Sequence, residues 1–392
     1  MPIMRKLQKR LLEAARRFPV VTVTGPRQSG KTTLCRMAFP DKPYVSLEAP
    51  DVRRWAARDP RAFLAEHHGG AVFDEIQREP ELLSYLQVEV DRDPSRGRFV
   101  LTGSANLALL GSVSQSLAGR TALLELLPLS LDELRRFPDA PVDLWQTLFR
   151  GSYPAPFDRG IPAGEWYGAY VGTYVERDVR QVLNVGKLAA FQSFLSLCAG
   201  RTAQLLNLSG LGADAGVTHA TAGAWLSVLE AAYLVQRVPA FSANVRKRLV
   251  RAPKLHFLDS GLACFLLGVR DAEQLRHHPL AGAVFESWVA AEVIKARVHA
   301  GERPALHHYR DRKGVEVDLV VDRGDAWVAV EAKLGQTVAD DFFRGLESFA
   351  GAVGGRQRRA VEALVVYGGE TSQRRRDSAV LPWSRVPSHR WV

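Results

Sequence analysis

The chain reads as an α/β protein. It opens with a doubly wound parallel-sheet domain, followed by a helical connector, a winged helix-turn-helix and a second α/β domain. Three observations carry that reading. The β-branched run Val20-Val21-Thr22-Val23-Thr24 feeds a glycine-spaced loop and then a helix-compatible segment, Thr33 to Met37. Two more strand-like runs, Ala71 to Glu75 and Arg98 to Thr102, alternate with helical stretches, the pattern of a parallel sheet covered on both faces. Much later, two β-rich runs around Gly324-Asp325 read as a hairpin.

At 392 residues the chain is too long for one typical core. Four regions are expected, 1–135, 136–188, 189–260 and 261–392. The hydrophobic share of 46% and charged share of 24% are those of an ordinary globular protein. No apolar run is long enough to span a bilayer, and the basic stretch Met1 to Arg17 lacks the apolar core of a leader, so a cytoplasmic location is expected. Cys35, Cys198 and Cys264 are too scattered for a C-x-x-C pair or a disulfide framework. Cys35 is expected to be a small buried packing residue. The net charge of +10 suits a polyanionic partner, because phosphate neutralisation with counterion release drives nucleic-acid binding. It suits a merely basic protein as well. The clusters Arg356, Arg358, Arg359 and Arg374-Arg375-Arg376 are expected at the solvated surface.

The loop after the first strand reads Gly25-Pro26-Arg27-Gln28-Ser29-Gly30-Lys31-Thr32-Thr33, that is G-x-x-x-x-G-K-T. Gly25 and Gly30 let the backbone curl so that successive N–H groups converge on phosphate oxygens. The helix that starts there adds its positive end. Lys31 is expected to reach the β- and γ-phosphates, and Thr32 to take one site on Mg²⁺. A loop that binds nothing would not need strand, helix, Lys31 and Thr32 together.

Gly69-Gly70 introduces Ala71-Val72-Phe73-Asp74-Glu75, an apolar run ending in two acids at the nucleotide edge of a buried parallel strand. Asp74 is expected to hold Mg²⁺ through water, and Glu75 to orient or deprotonate the attacking water. The run Arg98 to Thr102 ends in Gly103-Ser104-Ala105-Asn106, where Ser104 and Asn106 are candidate γ-phosphate sensors or ordinary turn residues. Arg120 is a candidate arginine finger or sensor, with a surface salt bridge as the competing reading.

From about Leu127 the texture changes to helices with Pro-rich joints. Ala189 to Ala199, Leu208 to Leu211 and Val217 to Ala232 read as three helices, and Tyr233 to Val238 and Lys254 to Leu258 as two strands. Three helices and a two-stranded wing make a winged helix-turn-helix. Thr218, His219 and Thr221 would face a DNA groove, and Arg246-Lys247-Arg248 would reach phosphates. A winged helix used only for packing or protein contacts is the alternative.

In the hairpin, a two-residue loop Gly324-Asp325 sets Asp318 opposite Glu331 and Glu316 opposite Lys333, all on one face. Opposed like charges need compensation, from Lys333 or from a divalent cation. Two carboxylates and a lysine on one sheet face suit a metal-dependent phosphodiesterase centre. Glu286, in the helix-like stretch Ala281 to Trp288, could supply another acid. A salt-bridge ladder on an exposed hairpin is the alternative.

Over nearly its whole length the chain resembles prokaryotic P-loop ATPases of the AAA+ superfamily that carry a C-terminal domain of unknown function. The residues concerned are Thr24 to Thr32, Phe73-Asp74-Glu75-Ile76-Gln77, Leu101-Thr102-Gly103-Ser104, Leu117-Ala118-Gly119-Arg120, Tyr174-Val175-Glu176-Arg177-Asp178-Val179, Lys254 to Gly261, and Glu316-Val317-Asp318 with Glu331-Ala332-Lys333. The last trio resembles the core of the PD-(D/E)xK nuclease fold, in which Glu286 would be the helix acid. The resemblance implies ATP hydrolysis with Mg²⁺ and supports a DNA partner. The leading expectation is an ATP-hydrolysing DNA-processing protein, with a homo-oligomeric ring and an arginine from the neighbour completing the site. A nucleotide-gated switch for a protein partner and an ATP-regulated nuclease remain open.

Overall fold

A computed structural model describes residues 2–104, 113, 116–175, 188–242, 252–311, 313–354, 359–375 and 377–392. Asn106, Glu176 to Val179, Arg246-Lys247-Arg248, Arg356, Arg358 and Arg376 lie outside the described residues. The chain divides into two compact units. The first is Met1–Leu129 with Ala231–Tyr233 and Val298–Glu302, and the second is Ser130–Glu230, Leu234–Arg297 and Arg303–Val392.

In the first unit, strands β1 (Val20–Thr24), β2 (Tyr44–Ser46), β3 (Ala71–Asp74), β4 (Phe99–Thr102) and β5 (Thr121–Glu125) form a parallel sheet in the order β2-β3-β4-β1-β5. Successive side chains along a strand serve opposite faces, and here each face has its own core. Val21, Val23, Val72 and Val100 pack with Leu7, Leu11, Leu34 and Cys35. Val20, Ala71, Phe73, Phe99 and Leu101 pack with Phe63, Leu64, Leu83 and Leu86. Each fully buried Val, Leu or Phe contributes roughly 1.5–3 kcal/mol, which is why the central strands are apolar on both sides. Cys35 is a packing residue as expected, and burial pushes its thiol pKa up. The helical run after β2 breaks where Pro60 stands. Helices Pro50–Arg58 and Pro60–Glu66 meet at Asp59, whose carboxylate accepts the Ala62 N–H at 3.0 Å.

In the second unit, helices Leu188–Ala199, Leu208–Asp214 and His219–Ala231 accompany strands β6 (Gln204–Leu205), β7 (Val235–Val238) and β8 (Lys254–Phe257). These strands pair antiparallel in the order β6-β8-β7. The three helices and the last two strands stand where the sequence puts them. The extra strand, β6, is two residues long and too short to leave a periodic signal. The connector is fixed by the buried carboxylate of Asp259. It accepts the N–H and hydroxyl of Ser152, both at 2.7 Å, the Tyr167 hydroxyl at 2.6 Å and the Leu262 N–H at 2.8 Å. Gly261 is needed beside it, because a Cβ there would meet the Tyr167 hydroxyl oxygen at 2.5 Å.

The long helix Ala281–His299 leads into β9 (Leu306–Arg310), β10 (Glu316–Asp322), β11 (Ala326–Lys333), β12 (Ala360–Tyr367), β13 (Gln373–Arg375) and β14 (Ser378–Pro382). Their order is β13-β14-β12-β11-β10-β9. Strands β11, β12 and β14 run parallel, and β9, β10 and β13 pair antiparallel with their neighbours. The hairpin register is the expected one, from Leu319 opposite Val330 to Asp322 opposite Trp327. Gly324 takes φ +89° at the first loop position, a conformation that requires glycine. That ladder begins at Leu319, short of Glu316. On its other side β10 is irregular against β9 between Val317 and Val320, and Glu316 pairs there with Arg310 at 3.1 Å.

Gly70 is held at φ +95°, and a Cβ there would lie 2.0 Å from the carbonyl oxygen of Arg98. Nothing lies within 4 Å of a Cβ at the neighbouring Gly69. Gly70→Ala is expected to lower unfolding free energy by about 1–3 kcal/mol, and Gly69→Ala by under about 0.5 kcal/mol, in urea denaturation.

Candidate functional site

The first candidate centre lies at the C-terminal ends of β1, β3 and β4. After Thr24 the chain curls through Gln28 at φ +63° and Gly30 at φ +92°, and helix Lys31–Ala38 starts. The loop is held from behind by Arg5, which donates to the carbonyls of Ser29 at 2.6 Å and Leu127 at 2.7 Å. Nothing in the sequence marks this prop, because an arginine in a basic N-terminal stretch is commonplace. Gly25 backs onto Leu126, whose carbonyl oxygen would stand 2.2 Å from any Cβ.

Lys31 is buried, and its ammonium donates to the carbonyls of Gly25 at 3.2 Å and Pro26 at 2.8 Å. Burial lowers its pKa to about 8, with Glu75 and Asp74 pulling the other way. Asp74 ends β3 at 5% exposure. The Thr32 hydroxyl donates to its two oxygens at 3.1 and 3.0 Å, Tyr44 donates at 2.5 Å, and Thr102 donates as well. Tyr44 and Thr102 were not assigned to this site from sequence. A tyrosine opening one short strand and a threonine closing another are ordinary strand residues. Juxtaposed hydroxyl and carboxylate oxygens are hard donors that fit Mg²⁺, and Thr32 and Asp74 are the residues that would hold it.

Glu75 turns left-handed at φ +57°, a strained backbone for a residue with a Cβ. That turn brings its carboxylate to the side-chain amide of Gln77, which also donates to the Ser104 hydroxyl at 2.8 Å. Ser104 lies 3.5 Å from Glu75. The structure therefore gathers Lys31, Thr32, Asp74, Glu75 and Ser104, and adds Gln77. Arg120 is not brought there. Its backbone carbonyl accepts from Val20 N–H, at the opposite end of β1, and its guanidinium grips Asp91 at 2.5 and 2.7 Å.

The second centre belongs to the C-terminal sheet and its helix. Asp318 and Glu331 come together as the register requires, and Lys333 pairs with Glu331 at 2.7 Å and Asp318 at 3.9 Å. Glu286 joins them through a residue that the sequence did not assign to this centre. Lys254, the first residue of β8, bonds Glu286 at 2.8 Å and Asp318 at 3.4 Å. Burial and then the Asp318 charge push Glu286 and Glu331 up to about 8. Burial also acts on Asp318, but Lys254, Lys333 and the Ala332 N–H outweigh it and hold its pKa below the usual carboxylate range. Among the described residues no group of three or more His, Cys, Asp or Glu side chains is arranged to hold a metal ion.

Of the expected DNA-facing residues, Thr218 and His219 are exposed, and Thr221 is half-buried. The Thr218 hydroxyl accepts the Thr221 N–H at 3.2 Å as a helix cap. Helix His219–Ala231 contains no lysine or arginine. No helix among the described residues is long and apolar enough to cross a membrane.

Residues 17–135 match an AAA domain, residues 142–273 a domain of unknown function (DUF8612) and residues 281–386 another (DUF4143). The chain is 34% identical over 318 residues to the uncharacterized protein Rv2008c of Mycobacterium tuberculosis, covering 80% of this chain and 70% of that one. The uncharacterized protein Mb2031c of Mycobacterium bovis matches equally. The chain belongs to their family. Its N-terminal unit is an AAA-type P-loop domain, with the parallel sheet described above. Among solved structures, the Walker-type ATPase PABY2304 of Pyrococcus abyssi is similar at TM-score 0.43 and 14% identity, covering 68% of this chain and 98% of that one. A single-substitution variant of RuvB from Thermotoga maritima reaches 0.32 at 20% identity, covering 62% and 92%.

Gln77 positions Glu75 without belonging to the phosphate loop. Gln77→Ala is expected to lower ATP turnover about 10- to 100-fold while leaving nucleotide affinity unchanged, read as steady-state turnover against equilibrium binding.

Proposed function

We propose that the protein binds ATP with Mg²⁺ and hydrolyses it. The observation that carries the reading is the convergence on one sheet edge of a phosphate loop, a buried Lys31, the Thr32–Asp74 pair and a braced Glu75. The loop N–H groups and Lys31 bind the phosphates and take up the charge that spreads over the γ-phosphoryl oxygens. Thr32 and Asp74 would hold Mg²⁺, whose charge acts on the same oxygens. Glu75 orients a water in line with the bond to be broken. The water oxygen bonds to the γ-phosphorus, the bond to the β–γ bridging oxygen breaks, and Glu75 accepts the water proton. ADP and phosphate leave. Ser104, within reach of Glu75 and Gln77, links the end of β4 to this event.

A DNA partner is supported by the net charge of +10 and by three helices and a small antiparallel sheet in the order of a winged helix. With no lysine or arginine on helix His219–Ala231, base contacts would fall to His219 and its neighbours, and affinity to phosphate contacts elsewhere. A homo-oligomeric ring completed by a neighbour's arginine belongs to the same proposal, and Arg120 would have to leave Asp91 to serve. A second reading, an ATP-gated switch for a protein partner, is favoured by the ion pairs that engage the acids of the C-terminal centre.

Lys31→Ala is expected to abolish binding of a fluorescent ATP analogue. Glu75→Gln should keep that binding and lose at least about 10²-fold in hydrolysis. Hydrolysis by Glu75→Gln at the wild-type rate would overturn the assignment. Stimulation of turnover by duplex, junction or single-stranded DNA separates the DNA reading from the switch, which predicts none.

A further inference from the structure

The fold expected of the C-terminal domain implies a divalent metal ion bound by Glu286, Asp318 and Glu331. The arrangement of these residues does not fit one. Asp318 is the hinge of the cluster, and both its oxygens are engaged. Oδ1 accepts from Lys254 at 3.4 Å, and Oδ2 accepts the Ala332 N–H at 3.0 Å and faces the Lys333 ammonium at 3.9 Å. Glu286 Oε1 is bonded to Lys254 at 2.8 Å, and Glu331 Oε2 to Lys333 at 2.7 Å. The other Glu331 oxygen packs on Gly345, where even a Cβ would stand 2.4 Å from it.

We infer that Lys254 is the resident cation of this centre, and that its ammonium takes the place between Glu286 and Asp318 that a divalent ion would need. Mg²⁺ demands near-octahedral oxygens and keeps several waters of its own. Here the side chains of Lys254, Glu286 and Asp318 are 6%, 13% and 12% exposed. A divalent ion would also sit beside two ammonium groups, against their charge. Lys254 comes from β8, in the small antiparallel sheet, whereas the lysine expected to assist catalysis, Lys333, comes from the hairpin itself. The cluster is thus an ionic joint between β8, helix Ala281–His299 and β10–β11. Phosphodiester cleavage through a metal bound here would require Lys254 to be withdrawn first.

The inference is independent of ATP hydrolysis, which stands or falls with Lys31 and Glu75. The test counts Mn²⁺ bound to the full chain by electron paramagnetic resonance, without nucleotide. Wild type and Asp318→Asn should bind the same number of ions, and Glu286→Gln serves as a second comparison should Asp318→Asn not fold. One ion fewer in either variant overturns the inference. Lys254→Met that folds should gain one Mn²⁺ and lose it again in the Lys254→Met, Asp318→Asn double variant. A folded Lys254→Met protein that gains none overturns the role given to Lys254. Should it fail to fold, the wild-type comparison decides.

Discussion

Asp74 carries a carboxylate at the end of a strand buried on both faces, and that carboxylate must be satisfied where water is scarce. Hydroxyls from three separate elements meet it. Thr32 comes from the helix behind the loop, Tyr44 from β2 and Thr102 from β4. The acid thereby ties the start of the phosphate loop's helix to two strands of the sheet. The same oxygens that hold the fold together are those a nucleotide-bound cation would claim, so stability and chemistry compete for one group. Such competition is common at functional sites, where local satisfaction is exchanged for readiness to bind.

Much of this was legible in the residues. A strand–loop–helix order with glycines at fixed spacing leaves few alternatives, and an apolar run ending in two acids points to one edge of a parallel sheet. The hairpin was legible too, because a two-residue turn with glycine first fixes the pairing next to it, from Asp322 opposite Trp327 to Leu319 opposite Val330. What stayed hidden has a common cause. Arg5, Gln77 and Lys254 act through side chains that reach across elements, 24, 27 and 64 positions in sequence from Ser29, Ser104 and Asp318. Periodicity reports which face a residue occupies, not which distant atom it touches. The irregular step in β10 stayed hidden for a related reason, since it depends on the neighbouring strand β9 and leaves no period of its own.

The two acidic centres of the chain use opposite solutions to the same electrostatic problem. At the first, neutral hydroxyls surround the acid, leaving its charge available to a cation. At the second, three acids share two ammonium groups from the chain, and burial pushes two of the acids, Glu286 and Glu331, up to about 8. Buried ion clusters of this second kind bring little net stability against an apolar packing of equal volume, but breaking one partner out of them is costly. They therefore fix geometry better than they add to stability.

The first unit also takes in Ala231–Tyr233 and Val298–Glu302, from far along the chain. Tyr233 sets its hydroxyl 3.3 Å from Thr24, at the mouth of the phosphate loop, and His299 accepts the Leu127 N–H at 3.3 Å. A gene fragment that ends where the AAA match ends, at residue 135, would lack both. The first unit is therefore assembled from three separate stretches of the chain, and the chain's first 135 residues do not hold all of it.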